Sequence, residues 1–303
     1  MDILVAGGTG QVGLELQRNP WPSGFKPFFP GRAELDLRDV GAITRMISSR
    51  PWGVVINAAA YTAVDAAEDD VAAAWTLNAL APAVLAAETA KANIPLVHLS
   101  TDYVFSGAKP EAYVEGDPVG PLGVYGASKE GGEQAVRTGN SRHVIVRTSW
   151  VVGEHRNNFL KTMLCLAAER SALRIVADQY GCPTSARDLA GALVEITVRL
   201  ASDTCPPTGT FHLTNKGETS WHGFATEIIR LAFKGRSGAP AVEPITTADR
   251  PTRARRPANS RLATDKIAQA YGITLRPWQD ATLQIVNSLR PPSGACGGEG
   301  RAA

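Results

Sequence analysis

The chain begins Met1-Asp2-Ile3-Leu4-Val5-Ala6-Gly7-Gly8-Thr9-Gly10-Gln11-Val12-Gly13. Ile3 to Ala6 reads as a buried strand, and it runs straight into glycines and then into a helical pattern over residues 10–18. Two fingerprints overlap in the turn, Gly8-x-Gly10-x-x-Gly13 and Gly7-x-x-Gly10-x-x-Gly13. Glycines there let backbone approach a pyrophosphate, and the positive end of the next helix faces its charge. A glycine pattern alone is weak; the strand before it and the helix after it give it weight. The turn is therefore expected to hold a dinucleotide through Gly7, Gly10, Gln11, Val12 and Gly13. The competing reading is a tight strand–helix turn that binds nothing.

Outward from that turn, short aliphatic runs alternate with alanine-rich amphipathic ones. Val54 to Ile56 ends in Asn57-Ala58-Ala59-Ala60, Leu96 to Leu99 ends in Ser100-Thr101-Asp102, and Val144 to Val146 ends in Arg147-Thr148-Ser149-Trp150. Between them lie a long helical pattern over 70–92, where Pro82 should introduce a kink, and a helix that holds Lys129 and runs to about Val136. This alternation predicts an α/β protein with a Rossmann-type, doubly wound parallel sheet, its functional residues gathered where strands end. After Trp150 the pattern loosens. Asn157 or Asn158 caps a helix to Ala168, 188–201 reads as a helix, and Thr210 to Leu213 as a last sheet strand. Ser220 caps a helix to Phe233, 235–260 reads as loop, and short helices follow over 262–271 and 278–289. The expected division is a dinucleotide-binding domain from 1–149 and 185–214, and a smaller α/β substrate lobe from 150–184 and 215–290. The Gly- and Pro-rich stretch 291–303 is expected to be disordered.

Composition narrows the class. With 303 residues, 44% hydrophobic and 20% charged, the chain can bury a large core. A net charge of +2 gives no electrostatic case for nucleic acid or an anionic membrane. Cysteines at 165, 182, 205 and 296 have neither zinc-site nor Cys-x-x-Cys spacing, which suits a reduced cytoplasm. No basic segment precedes the first strand, so no signal peptide is expected, and no apolar stretch is expected to be long enough to span a bilayer.

The second strand should end near Phe28-Phe29-Pro30, with no acid there to grip ribose hydroxyls. Arg32 follows, and a cation at that place suits the 2′-phosphate of NADPH, with NADH left open and a plain surface charge as the alternative. Further along stands Tyr125-Gly126-Ala127-Ser128-Lys129, whose Tyr and Lys share one helix face. A free phenol titrates near pH ~10, and a neighbouring ammonium should lower that value. Tyr125 could then protonate a carbonyl oxygen while hydride reaches its carbon, Lys129 could hold the nicotinamide ribose, and Thr101 could donate to the same oxygen. The alternative is a surface helix pair.

Ordered matches extend from the amino terminus to about residue 262. They include Asn57-Ala58-Ala59-Ala60-Tyr61-Thr62-Ala63-Val64-Asp65, Ser100-Thr101-Asp102-Tyr103-Val104-Phe105 and Val124-Tyr125-Gly126-x-Ser128-Lys129-x-x-Gly132-Glu133. Arg147-Thr148-Ser149-Trp150-Val151, Asn158-Phe159-x-x-Thr162-Met163-Leu164, Asp178-Gln179-x-Gly181-x-Pro183-Thr184 and Arg256-Pro257-x-Asn259-Ser260-x-Leu262 continue the series. Together they resemble the extended short-chain dehydrogenase/reductase family, and within it the branch that reduces 4-keto sugars carried on dTDP. The resemblance implies reduction of the 4-keto group of dTDP-4-dehydro-β-L-rhamnose to dTDP-L-rhamnose, with Thr101, Tyr125 and Lys129 as the catalytic triad. It places Asp102, Tyr103 and Trp150 against the sugar, and Asn158 and Arg256 near the nucleotide diphosphate. Asp36, Leu37, Ala58, Ala59, Ala60 and Tyr61 would border the adenosine half of the cofactor.

Related sugar-nucleotide 4,6-dehydratases carry an acidic pair after the strand-four Thr. Here Asp102 is followed by Tyr103, which favours plain ketone reduction. Family members bind a divalent ion, such as Mg2+, at a homodimer interface through glutamates. Glu15 fits one such position, but Arg187 stands where an acid is expected, and a cation opposes a metal. No metal ligand is assigned, and the homodimer is left open. Gly120-Pro121-Leu122-Gly123 also lacks the Asn common before the family's Val-Tyr-Gly. Two other functions compete: a non-catalytic regulatory subunit resembling the methionine adenosyltransferase β subunit, and a reductase or epimerase of another nucleotide sugar.

Overall fold

The first strand, β1 (Asp2–Ala6), sends its side chains alternately to two cores. Ile3 and Val5 join one cluster and Leu4 and Ala6 the other, and all four are essentially solvent-free. A strand buried on both faces belongs at the centre of a parallel sheet covered by helices. The computed structural model describes residues 1–289, so the tail expectation for 291–303 lies outside the described residues.

In chain order β1 is followed by α1 (Gln11–Arg18), β2 (Lys26–Phe28), α2 (Val40–Ser48), β3 (Trp52–Asn57), α3 (Val64–Ala67) and α4 (Val71–Trp75). A π-helical turn at Thr76–Leu80 leads into α5 (Ala81–Lys91), then β4 (Leu96–Thr101), α6 (Val124–Gly139) and β5 (His143–Thr148). The remainder is β6 (Val151–Val152), α7 (Phe159–Glu169), β7 (Ala172–Val176), β8 (Tyr180–Gly181), β9 (Thr184–Ser185) and α8 (Ala186–Ser202). It closes with β10 (Gly209–His212), β11 (Thr219–Ser220), α9 (Trp221–Ala232), β12 (Ala241–Ile245), α10 (Asp265–Tyr271) and α11 (Trp278–Leu289).

Six strands form one parallel sheet in the order β10-β5-β4-β3-β1-β2. Helices α1 and α8 cover one face through Leu16, Leu189 and Leu193, and α2 and α5 cover the other through Ile43, Ile47 and Leu85. Each such side chain contributes about 1.5–3 kcal/mol on leaving water. A separate cluster joins Leu160 and Met163 of α7, Phe224 and Ile228 of α9 and Ile285 of α11. The helices start where polar side chains close the first turn. Asn158 accepts from the Lys161 N–H, Ser185 from Asp188 and Ser220 from Gly223.

Three expectations need correction. The segment 235–260 is not all loop: β12 pairs in parallel with β7, Ala241↔Ala172 through Ile245↔Val176, hidden from sequence by its exposed Glu243 and by Pro244. The irregularity expected at Pro82 is a π-helical turn just upstream, while Pro82 sits in the first turn of α5, where its missing N–H costs little. The run Val71–Lys91 is, contrary to expectation, long and apolar enough by length and composition to cross a membrane. Here its apolar side covers the sheet, and it carries the buried Asn78. Helix α2 is an addition to the expected elements, although Asp39 caps it and Ile43 and Ile47 give it a buried stripe.

Candidate active-site cleft

The carboxyl ends of β1, β3, β4 and β5 open on a cavity of about 520 Å³. Gly7 follows β1 with φ +87°, and a Cβ there would lie 2.6 Å from the Ala59 nitrogen. At Gly13 a Cβ would meet the Gly7 carbonyl at 2.2 Å. Only glycine lets β1, the β3 loop and α1 close this tightly. Gly10, the residue before α1, has no side chain to cap the helix, so its first N–H groups face the cavity side unsatisfied by side chains.

Gly7, Gly10, Gln11, Val12, Ala58, Ala59, Ala60, Tyr125 and Lys129 all line this cavity. Gly13 acts one layer behind, through close packing. Tyr61 is held beside it by Asn78, whose side-chain oxygen accepts from the Tyr61 N–H at 2.8 Å. Asp36 is gripped by a two-pronged contact from Arg38, which holds its carboxyl well below the usual range. Arg32 stands 3.5 Å from the same carboxylate and is exposed, while Leu37 is buried in the sheet core. Arg156 was missed by sequence reasoning. It lies at φ +57°, lines the cavity and donates to the Thr9 carbonyl at 2.8 Å, so it brings a cation to the glycine turn. Ser100 Oγ and Thr148 Oγ1 line or abut the cavity and are buried without a hydrogen-bond partner. Polar atoms left so are costly unless a ligand meets them. The glycine cradle, these hydroxyls and the cation suit a polar, phosphate-bearing dinucleotide.

Helix α6 is pinned in place before it presents its chemistry. Arg147 of β5 donates to Glu133 at 2.7, 2.9 and 3.1 Å, both groups being buried, and the Arg137 guanidinium adds a further contact. Asn78 of the π-helical turn donates to Ser128 Oγ at 3.0 Å. Gly132 lets the Asn78 carbonyl come where a Cβ would be 2.1 Å away. The π-helical turn thus seats the Tyr-x-x-x-Lys helix, a role for Asn78 that the helical pattern of 70–92 did not show.

Lys129 is only 2% exposed, donates to the Leu99 carbonyl at 2.6 Å, and is pushed down to about 8 by burial, against the pull of Glu133. Tyr125 behaves opposite to expectation in the protein alone. Burial pushes its phenol up to about 12, partly offset by a hydrogen bond with Thr101, and Lys129 is not among the causes. Thr101 donates to Asp102 at 2.9 Å and accepts from the Tyr103 N–H. With its proton committed to Asp102, Thr101 serves Tyr125 as an acceptor. Asp102 itself is buried behind Thr101, takes a second donor from Ser149 at 3.1 Å, and is raised to about 6 by burial.

A second cavity of about 400 Å³ is lined by Tyr103, Arg256, Asp65, Trp221, Gln179 and Arg250 among others. Tyr103 meets Tyr125 edge to face at 5.6 Å, so the two cavities adjoin at these phenols. Arg256 donates to Asp65 at 2.7 Å. Trp150 and Asn158 fall outside this lining. Trp150 stacks behind Trp221, in space left by Gly181, and holds φ +49°. Asn158 donates to Gln11 and to the Gly153 carbonyl, joining α7 to the glycine turn. Glu15, the acid that the resemblance sets toward a divalent ion, is buried against His155 at 3.3 Å.

A six-stranded Rossmann-type sheet with a glycine turn at β1 and a Tyr-x-x-x-Lys helix beside it defines an extended short-chain dehydrogenase/reductase. A family model described as the RmlD substrate binding domain matches residues 1–290, and the chain belongs to that family. It is 41% identical over 290 residues to a dTDP-4-dehydrorhamnose reductase of Sinorhizobium fredii, covering 95% of this chain and 98% of the relative. A dTDP-4-dehydrorhamnose reductase from Clostridium acetobutylicum superposes with TM-score 0.89 at 36% identity, covering 95% of this chain and 99% of that one. The enzyme of the same name from Bacillus anthracis, solved in complex with NADP, gives 0.87 at 31% identity, with the same coverage.

Proposed function

We propose that this protein is a nucleotide-sugar ketoreductase that reduces the 4-keto group of dTDP-4-dehydro-β-L-rhamnose with NADPH, giving dTDP-L-rhamnose. The observation that carries the reading is the meeting of Tyr125, Lys129 and the glycine turn in one cavity, with a second, aromatic- and arginine-lined cavity adjoining it. Similarity to reductases bearing that activity in their names supports the substrate. NADPH rather than NADH is supported by the NADP-bound relative and by Arg32 and Arg38 about Asp36.

The division of labour follows the geometry. Bound NADPH supplies hydride to the carbonyl carbon. Tyr125, kept protonated by burial, is suited to give its proton to the carbonyl oxygen as negative charge develops there. In the protein alone Thr101, oriented by Asp102 and Ser149, accepts the one phenol proton, which must turn from Thr101 to the carbonyl oxygen for the transfer. Lys129 is suited to grip the nicotinamide ribose. Arg256 and Arg250 line the cavity where a diphosphate would sit, and an Arg fork suits it once the Arg256 fork turns from Asp65, which holds both its terminal nitrogens. Tyr103 and Trp221 offer aromatic faces to the sugar. Residues 1–149 with 185–214 form the cofactor body in this reading, and 150–184 with 215–290 the substrate lobe. A cytoplasmic setting fits the free Cys165, Cys182 and Cys205.

The test is NADPH oxidation in the presence of dTDP-4-dehydro-β-L-rhamnose and of a panel of other nucleotide keto-sugars. Turnover fastest with the dTDP-rhamnose precursor is expected. Tight NADPH binding with no turnover on any of them would favour a non-catalytic regulatory subunit.

A further inference from the structure

His98 lies wholly buried in β4, between the cofactor loop and the catalytic helix. Its Nδ1 is 3.1 Å from Asn57 Nδ2, and its Nε2 is 3.4 Å from Lys129 Nζ. The protons in this chain can be placed. The Ala59 N–H points at Asn57 Oδ1 at 3.2 Å, which fixes the amide and leaves its NH2 facing His98. Nδ1 must then accept. A neutral imidazole carries one proton, so it sits on Nε2 and is aimed at Lys129 Nζ. Burial and the lysine both push His98 well below its ordinary value, so the ring stays neutral.

An N–H pointing at an amine nitrogen suits its lone pair and opposes a third proton on it. Lys129 nevertheless donates to the Leu99 carbonyl, which holds the nitrogen in place. We propose that His98, locked as its Nε2–H tautomer by Asn57, is a positioning residue that fixes where Lys129 Nζ sits and loosens its hold on a proton. Because Ala59 lines the cofactor cavity and orients Asn57, the protonation of Lys129 is tied to the loop that borders the cofactor. The other charged or titratable groups about Lys129 are Glu133 and Tyr125 on its own helix, and Arg147 on β5, which Glu133 engages. On β3 and β4 the facing groups are Asn57 and His98.

This inference rests on the ketoreductase reading for its kinetic readout only. In the full-length protein with 15N-labelled histidine, NMR should report His98 with a bare Nδ1 and a protonated Nε2. Asn57→Asp offers carboxylate oxygens to both Ala59 N–H and a ring Nδ1–H, so it should reverse the tautomer. With Nε2 turned into an acceptor for the ammonium, Lys129 should hold its proton to higher pH, and the falling limb of kcat expected from its deprotonation should move up by about one unit. The pH dependence of NADPH affinity should move with it, and can be read even if turnover is absent. His98→Leu should also displace the limb, and His98→Gln, which restores an N–H at the same reach, should return it. These two variants decide the matter if Asn57→Asp does not fold. An Nδ1–H tautomer in the unmodified protein, or a reversed tautomer with neither profile displaced, would overturn the proposal.

Discussion

Trp150 lies face to face on Trp221, 3.5 Å between ring centroids and 7° from parallel, and only Trp221 reaches the second cavity. The aromatic wall expected from Trp150 is therefore built in two layers. The outer indole meets the cavity, and the inner one backs it.

The two layers should separate in kinetics and stability. Trp221→Ala is expected to raise KM for the sugar nucleotide while leaving the fold largely intact. Trp150→Ala removes a 9%-exposed side chain from the lobe core and should cost about 3–5 kcal/mol, visible as a lower denaturant midpoint. A variant of Trp150 with normal stability and a raised KM would reverse these roles.

Tyr125→Phe keeps the ring and removes the proton. Turnover should fall by about 100-fold or more, with NADPH affinity, measured by fluorescence titration, nearly unchanged. Full activity in this variant would reject Tyr125 as the acid.

Asp102 makes a pH prediction for stability. Its carboxyl is raised from 3.8 to about 6 in the folded protein, so folding favours the neutral form. Its contribution is fully present below about pH 4, is lost as pH rises through about 6, and leaves a roughly constant cost of about 3 kcal/mol above that. Urea midpoints of Asp102→Asn should lack this slope between pH 4 and 6. An unchanged slope would assign the pH dependence to other groups.

Gly13→Ala tests the nucleotide turn. The new methyl would stand 2.2 Å from the Gly7 carbonyl and 2.6 Å from Gly8 Cα, both backbone that cannot swing aside. Destabilisation of about 1–3 kcal/mol and loss of NADPH binding are expected, whereas Gly116→Ala, with nothing within 4 Å, should change neither.

Much of the site could be read from the chain because its signals are local. The glycine spacing and the four-residue step from Tyr125 to Lys129 are set by one turn and one helix, and both reach the same cavity. Other groups carry no local mark. Asn78 works because a π-helical turn sets it against α6, and Arg156 because its own left-handed backbone accompanies its reach to Thr9. β12 escaped notice because a half-exposed edge strand with Glu243 and Pro244 lacks an apolar pattern.

By itself the sequence determined the alternation of strands and helices, the dinucleotide turn and the phenol–lysine step, since each follows from periodicity or from a conformation only glycine adopts. Tertiary structure alone decided which tryptophan meets the second cavity, that Asp102 stands behind Thr101, and that Tyr125 stays protonated. Those outcomes depend on burial and on hydrogen-bond partners distant along the chain, such as Ser149 with Asp102 and Asn57 with His98, and no short window of residues encodes such distances.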